Sequence, residues 1–219
     1  MPIERQLATV VPVEFGGSLN GLLRQLGSAW SLVAFEAATD AGRAGAAITR
    51  EDLTRRLADF QDGVLRQFEL PAIHRAAGHA SRNETRELIA LAGDLRRSIP
   101  PTMTDASLRV GASQLLRLRP LRDQRVVQRF LDAVENGKAE PWHPVVFGLT
   151  LAVFSLPVLQ GMMVYERQSL SAFLDAAGRP LALAETERRA LIETLPSAVA
   201  SFAGDLHTAN PRFDSLAPR

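Results

Sequence analysis

The sequence contains no cysteine, so disulfides and thiolate metal sites are excluded, and the absence suits a reducing compartment. Nor is there an excess of charge of either sign. Lys and Arg number 25 against 24 acidic residues, a formal net charge of +1. A chain so balanced has no strong overall field to gather nucleic acid or an anionic membrane. The motifs of common catalytic chemistry are also missing. No G-x-S-x-G elbow presents a serine nucleophile. No Gly-rich loop followed by Lys cradles a phosphate, and GRAGAA at 42–47, without a preceding strand or a following Lys, reads as a flexible turn. Long repeats, low-complexity linkers and strand-like alternation are absent outside LATVVPVEF at about 7–15, which reads as extended.

Hydrophobic residues make up 46% and charged residues 22% of 219, the balance of a folded globular chain with room for one sizeable core. The N-terminus, MPIERQLATVV, carries Glu4 and breaks at Pro12, a poor signal peptide, so a cytoplasmic location is expected. From Pro144 to Tyr165 the chain carries no charge and reaches the ~20 residues that a bilayer span needs. Gly148, Pro157, Gln160 and Gly161 interrupt it, and a lone span could not satisfy the carbonyl that Pro157 frees. The segment is read as two buried helices meeting near Ser155–Pro157, with no membrane partner.

Elsewhere the apolar spacing is helical. Leu53, Leu57, Phe60, Val64, Leu65 and Phe68 share one face, with Thr49 and Asp52 as a near capping box. Pro71 marks an end or kink. Ser81 and Glu84 read as the next capping pair, ahead of Leu88, Ile89, Leu91, Ala92 and Leu95. Pro100 and Pro101 break that helix, and Thr104 caps a following one with Leu108, Leu115 and Leu116 on its apolar face. Val126, Val127, Phe130, Leu131 and Val134 form a further helix closed by Gly137. Pro144 fits the first turn of another. Thr186 starts a last helix that Pro196 ends or re-initiates.

Four histidines offer no metal site. His74 and His79 are five apart and do not stack as i and i+4 ligands, His143 looks like a helix entry, and His207 falls in the polar tail. Carboxylates lie near arginines as surface pairs, as Glu51 does with Arg55. Arg117, Arg119, Arg122 and Arg125 cluster, which reads as a solvated helix–loop surface or as a phosphate site. From these residues the chain is a non-catalytic helical protein, with no catalytic, cofactor-binding or metal residue assigned.

A family resemblance adds to this. GSAWSLVAFEAATDAGR at 27–43 resembles the UreF-family signature of Gly-Gly-Phe-Ser-Tyr-Ser-His-Gly-Leu-Glu and an Ala-rich helix, with Gly27, Ser28, Glu36, Ala37, Ala41 and Gly42 in register. LRQFELPAIHRA at 65–76 is similar to a Leu, basic, Asp-Leu-Pro segment, and SLRVGASQLLRL at 107–118 to a Gly-centred helix ending Leu-Leu-Arg-Leu. HPVVFGLTLAVF at 143–154 resembles the family's His-Pro-Val-x-Phe-Gly-x-Ala helix. Tyr165 to Leu183 follows its Tyr…Ala-x-Arg-Leu-x-Pro-Leu-Gly-Gln stretch, with Arg179 and Leu183 in place, and DLHTANPRFDSL at 205–216 its Asn-Pro-x-Leu-Asp segment. Together these pieces cover about 19–216. The chain departs from the pattern at Gln25, Val33, Ala34, Ala182 and Glu185. Arg188 and Arg189 stand where the family has Gly-Gln, and the usual Met-Arg-His-Glu…Tyr-Ser-Arg-Leu end is absent after Asp214.

The resemblance implies an all-α fold, a single-domain helical bundle with a short extended N-terminal segment. The divisions are 1–24 (lead-in), 25–206 (UreF-like domain) and 207–219 (tail). It implies a non-enzymatic, cofactor-free homodimer that bridges a UreD/UreH-type accessory protein and the UreG-type GTPase during nickel insertion into apo-urease. The alternatives are a repurposed adaptor for another assembly and a helical ligand-binding protein. The partner-binding residues it implies are Gly27, Ser28, Trp30, Glu36, Tyr165, Arg167, Arg179, Arg188 and Arg189. Tyr165 and Arg167 lie on the family's dimerisation helix, where Ser155, Gly161 and Ala172 would allow close approach. Trp30 and Phe35 read as aromatic anchors or as core. Tyr165 reads equally as a core residue with its hydroxyl at the rim.

Overall fold

Thr49 opens the first described helix as the sequence pattern demands. Its hydroxyl accepts from the Asp52 amide at 3.1 Å, and the Asp52 carboxylate accepts in return from the Thr49 amide at 3.3 Å. In a computed structural model the described residues are 49–99, 101–177 and 181–209. Every regular element among them is helical: α1 (Arg50–Phe60), a π-helical segment (Gln61–Glu69), α2 (Leu70–Ser81), α3 (Thr85–Ser98), α4 (Pro101–Leu118), α5 (Arg125–Glu135), α6 (His143–Val153), α7 (Val158–Ala177), α8 (Glu185–Glu193) and α9 (Ala198–Ala209). The extended segment at 7–15, the turn at 42–47 and the 1–24 lead-in lie outside the described residues, while α9 carries the chain into the stretch read as tail.

The helix does not end at Pro71. It runs from Arg50 to Ser81 by loosening over 61–69, where the Leu70 amide reaches back to the Leu65 carbonyl, five residues away. Proline lacks an amide hydrogen and its ring crowds the carbonyl four residues earlier. A widened turn just ahead of it removes that conflict. Two expected caps are displaced. Ser81 closes α2, its hydroxyl bonding the Gly78 carbonyl at 2.9 Å, because Asn83 turns the chain at φ 57° before α3 begins. Thr104 lies inside α4, which starts at Pro101, where a residue without an amide hydrogen suits the first turn. Arg55 pairs with Asp52 rather than Glu51. Gly137 does close α5, at φ 66°, with Gly137 N bonded to Val134 O and Lys138 N to Ala133 O in a Schellman arrangement.

The first half of the uncharged stretch, in α6, forms the centre of the bundle. Every residue from His143 to Leu151 in α6 is buried. A helix apolar all round belongs inside, and α6 is wrapped by α2, α3, α4 and α7. Closest approach falls at glycines. A β-carbon on Gly148 would sit 2.5 Å from the Ile73 carbonyl oxygen and 2.7 Å from the Ala76 methyl. One on Gly111 would overlap the Pro141 carbonyl. Gly161 faces the Leu151 side chain of its own chain. The turn between α6 and α7 passes through Ser155 at φ 52°, so the two helices do meet where the sequence places the break. Among the described residues no helix is long and apolar enough to cross a membrane.

Candidate functional site

Three of the segments that carry the family resemblance meet in the core. Glu69 ends the π segment just before Leu70 and Pro71, His143 opens α6, and Tyr165 lies in α7. The Tyr165 hydroxyl donates to Glu69 Oε2 at 3.0 Å and lies 3.2 Å from His143 Nδ1. A phenol has one proton, so with that proton on the Glu69 bond the imidazole Nδ1–H donates to the phenolic oxygen. The Phe147 ring, 5.1 Å from Tyr165 and 6.4 Å from His143, closes the apolar wall.

Burial governs the chemistry here. Loss of water pushes the Glu69 carboxyl up to about 7, against the opposing pull of the Tyr165 hydrogen bond. The same desolvation drops His143 to about 3 and holds Tyr165 well above the ordinary phenol range. At neutral pH the imidazole and phenol are neutral, and Glu69 is near its midpoint. Such a proton-sharing set resembles acid–base machinery. Yet Glu69, His143 and Tyr165 are only 2, 1 and 1% exposed, so a ligand would touch them only if the helices parted. The arrangement acts as a polar rivet joining the π segment, α6 and α7.

A second rivet lies one residue along α7. Glu166 accepts from Gln61 Nε2 at 2.7 Å, Ser197 Oγ at 3.0 Å, Ala198 N at 2.6 Å and Val199 N at 3.4 Å. Its carboxyl oxygens cap the start of α9, at the positive end of the helix dipole. Gln61 Nε2 also donates to the Pro196 carbonyl. The π segment therefore begins and ends on buried polar residues, Gln61 and Glu69, which adjacent residues of α7 hold. Sequence reasoning missed both. The signal was present, since Gln61 and Glu69 fall four residues after Leu57 and Leu65 on the apolar stripe, and a polar group there needs a buried partner.

Of the expected partner-binding residues, Gly27, Ser28, Trp30, Glu36 and Arg179 lie outside the described residues, as does Phe35. Tyr165 faces inward, its hydroxyl bonded in the core rather than at the rim. Arg167, two residues on and about 200° around a helix of 3.6 residues per turn, is exposed. Arg188 braces α8, reaching Asp175 of α7 at 2.7 Å and Glu185 at 2.8 Å, while Glu187 pairs with Arg50 of α1. Arg189, its neighbour, is exposed. Ala172 is half-buried, and Ser155 is exposed on its turn. His74 packs edge-on to Phe202 at 5.5 Å with its imidazole pKa lowered by burial, and His79 bonds Glu84 at 2.8 Å. No group of side chains suited to hold a metal occurs among the described residues.

A family model of UreF matches residues 47–195, well over half of the chain, and spans the π segment, the buried α6 and the Glu69–His143–Tyr165 rivet. The chain belongs to the UreF family. It is thus a member of a family of urease accessory proteins, and the resemblance read from the ordered motifs holds over their shared core. Among curated proteins none matches the chain.

Proposed function

We propose that this UreF-family chain is a non-catalytic scaffold in urease maturation. It bridges a UreD/UreH-type accessory protein and a UreG-type GTPase while nickel is inserted into apo-urease, and it works as a homodimer in the cytoplasm. The single observation that carries the reading is the family match over 47–195. The side-chain placement accords with it. The polar groups that would do chemistry are consumed in holding helices together, and the exposed cations Arg167 and Arg189 are left for other proteins. A scaffold acts through its surfaces, and the function of such a fold lies in what docks on it.

The test is reconstitution. Apo-urease, the UreD/UreH-type protein and the UreG-type GTPase are combined with nickel, GTP and bicarbonate, with and without this chain. Nickel bound per urease active site and urea hydrolysis are then measured. Both are expected to rise only when the chain is present, and size-exclusion chromatography should recover it with the two accessory proteins. Equal nickel loading without it would overturn the reading.

A further inference from the structure

The corner between α4 and α5 carries charge that the fold itself does not use. Arg117, Arg119, Arg122, Arg125 and Arg129 are all exposed within 116–129, where Asp123 is the sole acid. Arg119 is matched by Glu135. Arg122, Arg125 and Arg129 have no ion-pair partner among the described residues. Arg125 is the first residue of α5, whose first turn holds no acid. A cation there opposes the positive end of the helix dipole, so Arg125 is placed against local stability. On the same corner Leu116 is 52% exposed and Pro120 is exposed beside it.

The backbone of this corner is tied by hydrogen bonds. Arg119 N bonds Leu116 O, Leu121 N bonds Leu118 O, and Gln124 N bonds Leu121 O. The Gln128 side chain donates to both the Arg119 and Leu121 carbonyls, at 3.2 and 3.1 Å. Cations on a preformed backbone lose little freedom when a partner arrives.

We infer that the α4–α5 corner is a docking surface for a carboxylate-rich face of a partner protein, with Arg122, Arg125 and Arg129 pairing with its acids and Leu116 and Pro120 supplying the apolar contact. Guanidinium forks match carboxylates in bidentate geometry. Arginine beside an exposed apolar side chain is the composition of protein–protein contacts, in which arginine is enriched. Nucleic acid fits less well, because the chain is near neutral overall and this basic cluster is short, running only from Arg117 to Arg129, whereas phosphate tracts are met by extended basic arrays. The inference rests on the accessory reading for the pool of partners, and goes beyond it in naming the surface and the partner's charge.

The test uses the full-length chain and its R122E/R125E variant against purified UreD/UreH-type protein, UreG-type GTPase and apo-urease. A random-sequence DNA duplex and phosphatidylserine-containing vesicles serve as further probes. Affinities are measured at low and at physiological salt, together with thermal midpoints. The variant is expected to melt at or above the wild-type temperature, because an acid replaces Arg125 at the α5 N-terminus. It is expected to lose on the order of tenfold in affinity for one of the three proteins, and the wild-type affinity for that protein should weaken with salt. If wild type binds the proteins and the variant matches each affinity within about twofold, the inference falls and the accessory reading stands. Loss of DNA or vesicle binding with all protein affinities unchanged overturns it equally. If wild type binds none of the three proteins, the accessory reading falls and takes the inference with it.

Discussion

Glu69 is the residue whose ionisation the fold resists most clearly. Its carboxyl is raised from an ordinary 4.5 to about 7 by burial, so between those values the folded chain holds a proton that the unfolded chain has released. Stability from this group is full below 4.5 and is lost as pH rises through 7. His143 runs the other way: lowered from 6.5 to about 3, it makes the unfolded chain the better proton binder in that window, so stability falls as pH drops through it. The two slopes oppose between 4.5 and 6.5. Glu69→Gln removes one of them while retaining an oxygen for the Tyr165 hydroxyl. Its stability relative to wild type is expected to grow by about 2–3 kcal/mol between pH 5 and pH 8. Urea midpoints at both pH values check this, and a constant difference would mean that Glu69 is already ionised in the fold.

Glycine positions give a second comparison at this scale. Gly148 in α6 and Gly93 in α3 both lie in helix interiors, where alanine is the better helix former by about 1 kcal/mol. A methyl group at Gly93 meets nothing within 4 Å, so Gly93→Ala is expected to stabilise by about 0.5–1 kcal/mol. At Gly148 the methyl would meet the Ile73 carbonyl at 2.5 Å and force α6 away from α2, so Gly148→Ala is expected to destabilise by about 1–3 kcal/mol. Thermal unfolding of the two variants should shift in opposite directions.

At the scale of elements, α9 depends on one carboxylate. Glu166→Ala leaves the Ser197 hydroxyl and the Ala198 and Val199 amides without their acceptor at the start of the helix. The expected loss is about 3 kcal/mol. Amide exchange at Ala198 and Val199 should speed up before the rest of the chain opens. The elements themselves were legible where the apolar stripe is sharp: α1, α5, and the α6–α7 pair broken at Ser155–Pro157. The π segment was not, because over nine residues a widened turn shifts the stripe too little to change the pattern. The Ser81 and Thr104 caps were misplaced for another reason. Ser81 with Glu84 matches a capping box and Thr104 is a capping residue type, but Asn83 and Pro101 set the local backbone, and the Glu84 carboxylate is held by Arg82 and His79 instead. The pieces of the polar rivets were visible as motifs around Glu69, His143 and Tyr165. Their convergence was not, since it depends on how four helices cross, which no local spacing encodes.

At the scale of the whole molecule, the arginines divide by what they are used for. Arg188 ties α8 to α7, alongside the Glu187–Arg50 pair and the half-buried Leu191 and Ile192, since α8 has no fully buried residue. Arg167 and Arg189 are exposed, with no ion pair to another element among the described residues. An exposed single ion pair contributes about 0–1 kcal/mol, so Arg188→Ala is expected to loosen α8 locally, with faster amide exchange over Glu185–Glu193 and a small fall in global stability. Arg167→Glu and Arg189→Glu should leave the unfolding midpoint nearly unchanged, because both side chains are exposed and no ion pair among the described residues is lost. If the chain docks accessory proteins as proposed, those same two changes reduce nickel loading of urease in the reconstituted system, while Arg188→Ala acts there only through the placement of α8. A drop in the unfolding midpoint for Arg167→Glu comparable to that of a core substitution would place the side chain in the fold rather than on its docking face. A full nickel load with both surface arginines reversed would move that face elsewhere on the bundle.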